Sequence, residues 1–157
     1  MEPSLQDRYY SAGTCFGCGP SNRHGLQIKS YSADNGVAAT WTASDKYGNG
    51  FGFVNGGIIS TLLDCHSAAC LMKETVERYG DFCIDNFEHF DDRHPVYLTN
   101  QITVTFRRPV LLCRPVELFS QCVSWGDDAC RFRSELRFDG KLAASADVAW
   151  KRFRPRR

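Results

Sequence analysis

An α+β fold, in which a curved antiparallel sheet wraps around one long helix, is what this sequence predicts, on three observations. Apolar and polar residues alternate with a period of two on both sides of a central segment, and turn dipeptides separate the alternating stretches. Between them, Gly56–Tyr79 holds no Pro, and no Gly follows Gly57 until Gly80. That segment is also apolar nearly all round in its first half (Ile58, Ile59, Leu62, Leu63, Cys65, Ala68, Ala69, Leu71, Met72), as in a helix enclosed on every side. A sheet with one greasy face must cover it, and this is the long apolar helix available to do so.

The elements follow in order. Residues 26–32 alternate, Asp34-Asn35-Gly36 turns the chain, and Val37, Ala39 and Trp41 alternate after it, which predicts a hairpin. Residues 42–54 carry Gly48, Gly50 and Gly52 and read as a loop. Asn55 is suited to cap the helix and Gly80 to end it, and Glu74 and Arg78 are paired four apart near its C-terminus. Leu98, Ile102, Val104 and Phe106 then alternate with polar neighbours until Pro109 stops the strand. Residues 116–125 and 130–138 follow, separated by Gly126-Asp127-Asp128. Asp139-Gly140 predicts a second hairpin, with Leu142, Ala144, Ala146, Val148 and Trp150 beyond it. No repeat or second core is visible, so residues 1–157 are expected to form a single domain.

Composition narrows the class of function. Hydrophobic residues at 43% and charged residues at 24% are those of a globular protein, and a net charge of +1 argues for neither nucleic acid nor a membrane surface. The first ten residues lack the apolar run of a signal peptide, and no stretch of about 18 apolar residues exists to span a bilayer. Eight cysteines in such a chain suggest a reduced, cytoplasmic protein that uses Cys as a small hydrophobe.

Asp64 is the most informative residue. It falls inside the apolar half of the helix, where an unpaired charge is costly, on a narrow stripe with Gly57, Ser60 and Ser67. Such an acid either fixes the register of a strand or serves as base or nucleophile in a pocket. At the helix start, Asn55-Gly56-Gly57 leaves backbone N–H groups at the positive end of the dipole, with no side chain on either glycine, a place to stabilise a developing oxyanion. Gly56 and Asp64 are separated by about 12 Å along one helix, whereas a nucleophile must come within about 3–3.5 Å of its carbonyl. One helix cannot serve both roles at one carbonyl, but two antiparallel copies can. The spacing therefore predicts a homodimer with its sites at the interface, and leaves open whether such dimers pair into a dimer of dimers.

NGGIISTLLD (55–64) resembles the HGG-x6-D signature of the hotdog-fold acyl-CoA thioesterases, in the branch of the phenylacetyl-CoA and 4-hydroxybenzoyl-CoA enzymes. CFGCGPSNRHGL (15–26) is similar to the lead-in of many members, and TVTFRRPV (103–110) to the strand after their helix. The resemblance implies hydrolysis of an acyl- or aryl-acyl-CoA, with Asp64 activating water or attacking the thioester and the Gly56 amide polarising its carbonyl. Asn49 matches a loop Asn that some members place near the carbonyl or the water. Asn55 stands where the family usually has His, so it can donate a hydrogen bond and cap the helix but cannot titrate. Gly57 and Ser60 would border the substrate, and Arg107 and Arg108 would meet the phosphates of coenzyme A. Coenzyme A enters as part of the substrate, and no metal or other cofactor is expected.

Two other functions remain open at this level: a hydratase or dehydratase on acyl thioesters, and an acyl-CoA-binding module without turnover. The first would need a His beside the acid, and His66, two residues from Asp64, points elsewhere on a helix. Cys15 and Cys18 have a CxxC spacing, but a structural metal usually takes two such pairs, so a tight turn is the simpler expectation. Residues 81–95 hold Asp85, Glu88, His89, Asp91, Asp92 and His94 among aromatics, and read as a lid or short helix beside the acyl pocket rather than a metal site. The basic tail 151–157 reads as solvated charge.

Overall fold

The computed structural model describes residues 2–80 and 95–154. The expectation for residues 81–95 falls almost wholly on 81–94, outside the described residues. A short helix α1 (Leu5–Tyr9) precedes a hairpin of β1 (Tyr31–Ala33) and β2 (Gly36–Thr42). A 3-10 turn at Asp45–Tyr47 leads to the long helix α2 (Gly56–Tyr79). The chain continues as β3 (Tyr97–Phe106), β4 (Pro115–Trp125), β5 (Ala129–Phe138) and β6 (Lys141–Arg152). All six strands form one sheet in the order β1-β2-β4-β5-β6-β3, and every neighbouring pair is antiparallel.

The sheet curls around α2, which touches every strand from β2 to β6. Leu62, Leu63, Ala69 and Cys70 on the helix are buried with Leu118, Phe132, Leu136 and Val148 from the strands. Ala143, Ala144 and Ala146 on β6 are fully enclosed, and their small side chains let the helix lie close. Asn55 caps α2 through its side chain, Gly80 ends it at φ 91°, and the Glu74–Arg78 ion pair forms. Among the described residues, no helix is long and apolar enough to cross a membrane.

Two expectations for the strands are corrected. The first strand is Tyr31–Ala33 rather than 26–32, because the preceding main chain is used by the N-terminal segment: Leu26 and Ile28 donate to Phe16 and Gly17, and Leu5 donates to the Ser30 carbonyl. In β3, Leu98 does not share a face with Ile102, Val104 and Phe106. The register against β6 slips between Thr99 and Gln101, so the residues paired with buried Trp150 and Val148 are Thr99 and Ile102. This bulge reverses the alternation, turning Tyr97 and Thr99 inward and leaving Leu98 49% exposed.

His66 is a satisfied core histidine, as its helical position suggests. It is wholly buried, its Nδ1 lies 2.9 Å from Ser30 Oγ, and its Nε2 donates to the Val37 carbonyl at 3.1 Å. Ser30 also accepts from Gln6 Nε2 at 3.1 Å, so a chain of buried polar groups joins α1, β2 and α2. Burial holds the imidazole neutral, with its pKa pushed down to about 4. His66→Ala is expected to lower stability by about 2–4 kcal/mol, since it strands buried partners and opens a hole. A denaturant midpoint that falls without a change in m-value would show this, and a loss below about 1 kcal/mol would contradict it.

Candidate active site

The helix start is built by the loop before it. The Asn55 amide donates to the Tyr47 carbonyl at 2.9 Å, and its Oδ1 accepts from Gly57 N at 2.7 Å. Asn49 orders the same loop, with its Oδ1 accepting from Phe51 N at 2.9 Å and Phe53 N at 3.4 Å. Gly50 and Gly52 adopt φ of 86° and 87°, where side chains rarely go, and they carry Phe51 outward at 83% exposure. Asn55, Gly56 and Gly57 are exposed, and Ser60 folds its hydroxyl back onto the Gly56 carbonyl at 2.9 Å. A methyl group placed on Gly56 would lie 3.5 Å from Phe106 Cζ. The end of β3, with exposed Phe106, Arg107 and Arg108, therefore lies beside the helix start. The amides of both arginines donate to the Ala143 carbonyl, which pins the strand end there.

Two turns further along α2, Asp64 lines a cavity of about 310 Å³. Leu71 and Met72 of α2, Tyr97 of β3, Trp150 of β6 and Tyr10 of the N-terminal segment form its apolar walls. Cys15, Cys18 and Cys65 border it on the side of the N-terminal loop. Thr99 Oγ1 donates to Asp64 Oδ1 at 3.0 Å. The Asp64 carbonyl accepts from Ser67 Oγ at 2.7 Å, and that hydroxyl accepts from Trp150 Nε1 at 2.9 Å. The turn carrying the acid is thus tied to β6. Burial raises the Asp64 pKa above the ordinary carboxylate value, the Thr99 hydrogen bond opposes this, and negative charge at Cys15 adds to the rise. A carboxylate so placed combines a pKa above the ordinary carboxylate value with access to an apolar pocket, which suits a base.

The three thiols interact with one another. Hydrogen bonds from Cys18 and Cys65 hold the Cys15 thiol well below its ordinary value, and the same hydrogen bonds to Cys15, with burial, raise Cys18 and Cys65.

No family model matches the chain, and no curated protein does. Solved structures do. A phenylacetic acid degradation-related protein of Ralstonia eutropha superposes with a TM-score of 0.65 at 20% identity, over 86% of this chain and 92% of its own. A hypothetical thioesterase protein of Streptococcus pneumoniae, solved with coenzyme A, gives 0.63 at 16% identity, over 80% and 87%. A Streptococcus mutans protein bound to acetyl-CoA gives 0.62 at 20% identity, over 83% and 91%. The chain has the hotdog fold.

Within this hotdog fold, the residues singled out in the sequence fall into two groups. Asp64 stands at the cavity. Asn55, Gly56, Gly57 and Ser60 gather at the exposed helix start, near the end of β3 that carries Arg107 and Arg108, and Asn49 lies in the loop that supports that start. The interval between the groups is the length of two helical turns, about 12 Å. Thr99 escaped the sequence reading, because its contact with Asp64 depends on a bulge that alternation does not show. Cys65 read as packing, and only the folded chain brings it to Cys15 and Cys18.

Proposed function

We propose that this protein hydrolyses the thioester of an acyl- or aryl-acyl-CoA to the free acid and coenzyme A, in the reducing cytoplasm, as a homodimer or dimer of dimers. The observation that carries the reading is Asp64, a carboxylate with raised pKa at the edge of an apolar cavity, oriented by Thr99. The cavity sits at the small end of the range for ligand sites, about 300–1,000 Å³, which favours a compact acyl or aryl-acyl group. The coenzyme A and acetyl-CoA bound to two of the similar structures support this ligand class.

In the proposed reaction, Asp64 of one subunit takes a proton from water as that water adds to the thioester carbonyl. The C–S bond breaks, and the proton passes to the departing coenzyme A thiolate. In the other route Asp64 adds to the carbonyl itself and expels the thiolate. Water then cleaves the acyl–Asp64 anhydride, giving the free acid and a proton for the thiolate. The Gly56 amide at the helix start of the partner subunit receives the oxyanion, aided by the helix dipole. Asn55 and Asn49 shape that helix start. Arg107 and Arg108, beside it, are placed to meet the phosphates of the same coenzyme A. The dimer is further supported by β3, an edge strand whose open side would pair with a second copy and cover Leu98 and Phe106, now 49% and 53% exposed.

A thiol-release assay across short-chain, branched and aryl-acyl-CoA esters tests the reading. Turnover on at least one ester is expected. Tight binding without thiol release across the panel would favour a binding module, and loss of enoyl absorbance without thiol release would favour a hydratase. His66, the histidine a hydratase would need beside the acid, instead bonds Ser30 and Val37. Thr99→Val is expected to lower kcat roughly five- to tenfold, the equivalent of about 1 kcal/mol of lost orientation, with KM little changed.

A further inference from the structure

The cluster of Cys15, Cys18 and Cys65 is built with more care than packing requires. The sequence offers one CxxC pair, and the fold supplies a third sulfur 47 positions later, from the turn of α2 next to Asp64. The three Sγ atoms all lie within 4.8 Å of one another, and Cys15 and Cys65 are 3.7 Å apart. Tetrahedral zinc with bonds of about 2.3 Å to sulfur sets its ligand sulfurs about 3.8 Å apart. The widest pair therefore needs to close by no more than about 1 Å.

The surrounding main chain is shaped for thiolates. The Gly17 and Cys18 amides donate to Cys15 Sγ, and the loop is closed by Gly19 N donating to the Cys15 carbonyl at 2.9 Å. A side chain on Gly17 would meet Cys65 Sγ at 2.2 Å, and one on Gly19 would meet Cys15 N at 2.4 Å, so both positions require glycine. On its outer side the loop is held by Leu26 N and Ile28 N, which donate to the Phe16 and Gly17 carbonyls. Amides directed at a ligating sulfur orient it and spread its charge.

We propose that Cys15, Cys18 and Cys65 bind a zinc ion as three thiolates, with the fourth coordination position open to the cavity that Asp64 lines. Three soft ligands in a mostly buried setting select a thiophilic d10 ion over magnesium or calcium. Binding releases the protons that the thiols hold and converts a crowded set of like groups into a staple between the N-terminal loop and α2. A disulfide would join only two of the three and leave the third buried beside it. The assignment does not rest on the thioester chemistry proposed above, since it is read out by metal rather than by turnover.

The test uses the full chain, purified under reducing conditions, stripped with a chelator and titrated anaerobically with Co2+. Saturation at a single equivalent is expected, with an intense thiolate-to-cobalt charge-transfer band and the visible bands of tetrahedral cobalt, both abolished by Zn2+. Cys15→Ser, Cys18→Ser and Cys65→Ser should each weaken Co2+ binding at least tenfold. Cys122→Ser, on β4, should leave it unchanged. Cys15 is the least buried of the three, so its variant is the one expected to fold most readily. The proposal is overturned by a missing charge-transfer band at saturating Co2+, by a band that survives Cys15→Ser, or by a disulfide within the trio in freshly prepared protein.

Discussion

Asp64→Asn is expected to lower kcat for thioester hydrolysis by about two to four orders of magnitude while the protein stays folded. The change is nearly isosteric. The Asn carbonyl oxygen can accept the Thr99 hydroxyl as Asp64 Oδ1 does at 3.0 Å, so the helix turn and β3 keep their contact. What disappears is the capacity to take a proton or to attack. Burial makes the ionised acid costly, as its raised pKa records, so the variant should unfold at an equal or higher temperature than the parent. Asp64→Ala should match it in activity. Thiol release under saturating substrate and a thermal melt report the two halves. Wild-type turnover in both variants would remove Asp64 from the chemistry, whereas loss of turnover together with a lowered Tm would make it a structural acid.

Gly56→Pro isolates the other half of the machinery. Proline is favoured at the first helical position, where the missing N–H has no intrahelical use. Asn55 already has φ −61° and ψ 137°, the conformation a residue before proline adopts, and the new Cβ would find ordinary contact with Phe106. The helix should therefore form, and the loss falls on the amide alone. If that amide stabilises the oxyanion, kcat drops by about 10²–10³. Mixing tests whether the site is shared. After dissociation and reassociation of Gly56→Pro with Asp64→Ala, about half of the dimers are hybrids, each with one site made of two intact halves. Activity near about a quarter of wild type is expected, and none would be recovered if each chain supplied both groups itself.

The helix was legible because its signals are local: Asn55 as cap, an unbroken apolar run, and Gly80 as stop, all of which the structure reproduces as Gly56–Tyr79. The hairpin at Asp139-Gly140 was legible for the same reason, since both residues occupy positive φ in a tight turn. Asp64 stood out because a charge among apolar neighbours violates a simple rule of burial. What escaped depends on partners distant in sequence. Residues 26–30 alternate like a strand, yet their hydrogen bonds go to Leu5, Phe16 and Gly17, and no periodicity records that choice. Thr99 reaches Asp64 only because β3 bulges against β6. Asn49, which the resemblance sets near the thioester carbonyl or its water, uses its side-chain oxygen to hold the Phe51 and Phe53 amides of its own loop.

The enclosure of α2 bears on how the chain is made. Translation delivers this greasy helix well before β4, β5 and β6, the strands that shelter it, and Trp150 meets Ser67 across 83 residues of chain. A nascent polypeptide must carry the helix only partly sheltered until β6 leaves the ribosome, which makes this interval the one in which aggregation competes with folding. The pocket beside Asp64 takes one wall, Trp150, from β6, so it is completed last, and a ribosome stalled before Trp150 would hold a protein whose pocket still lacks that side.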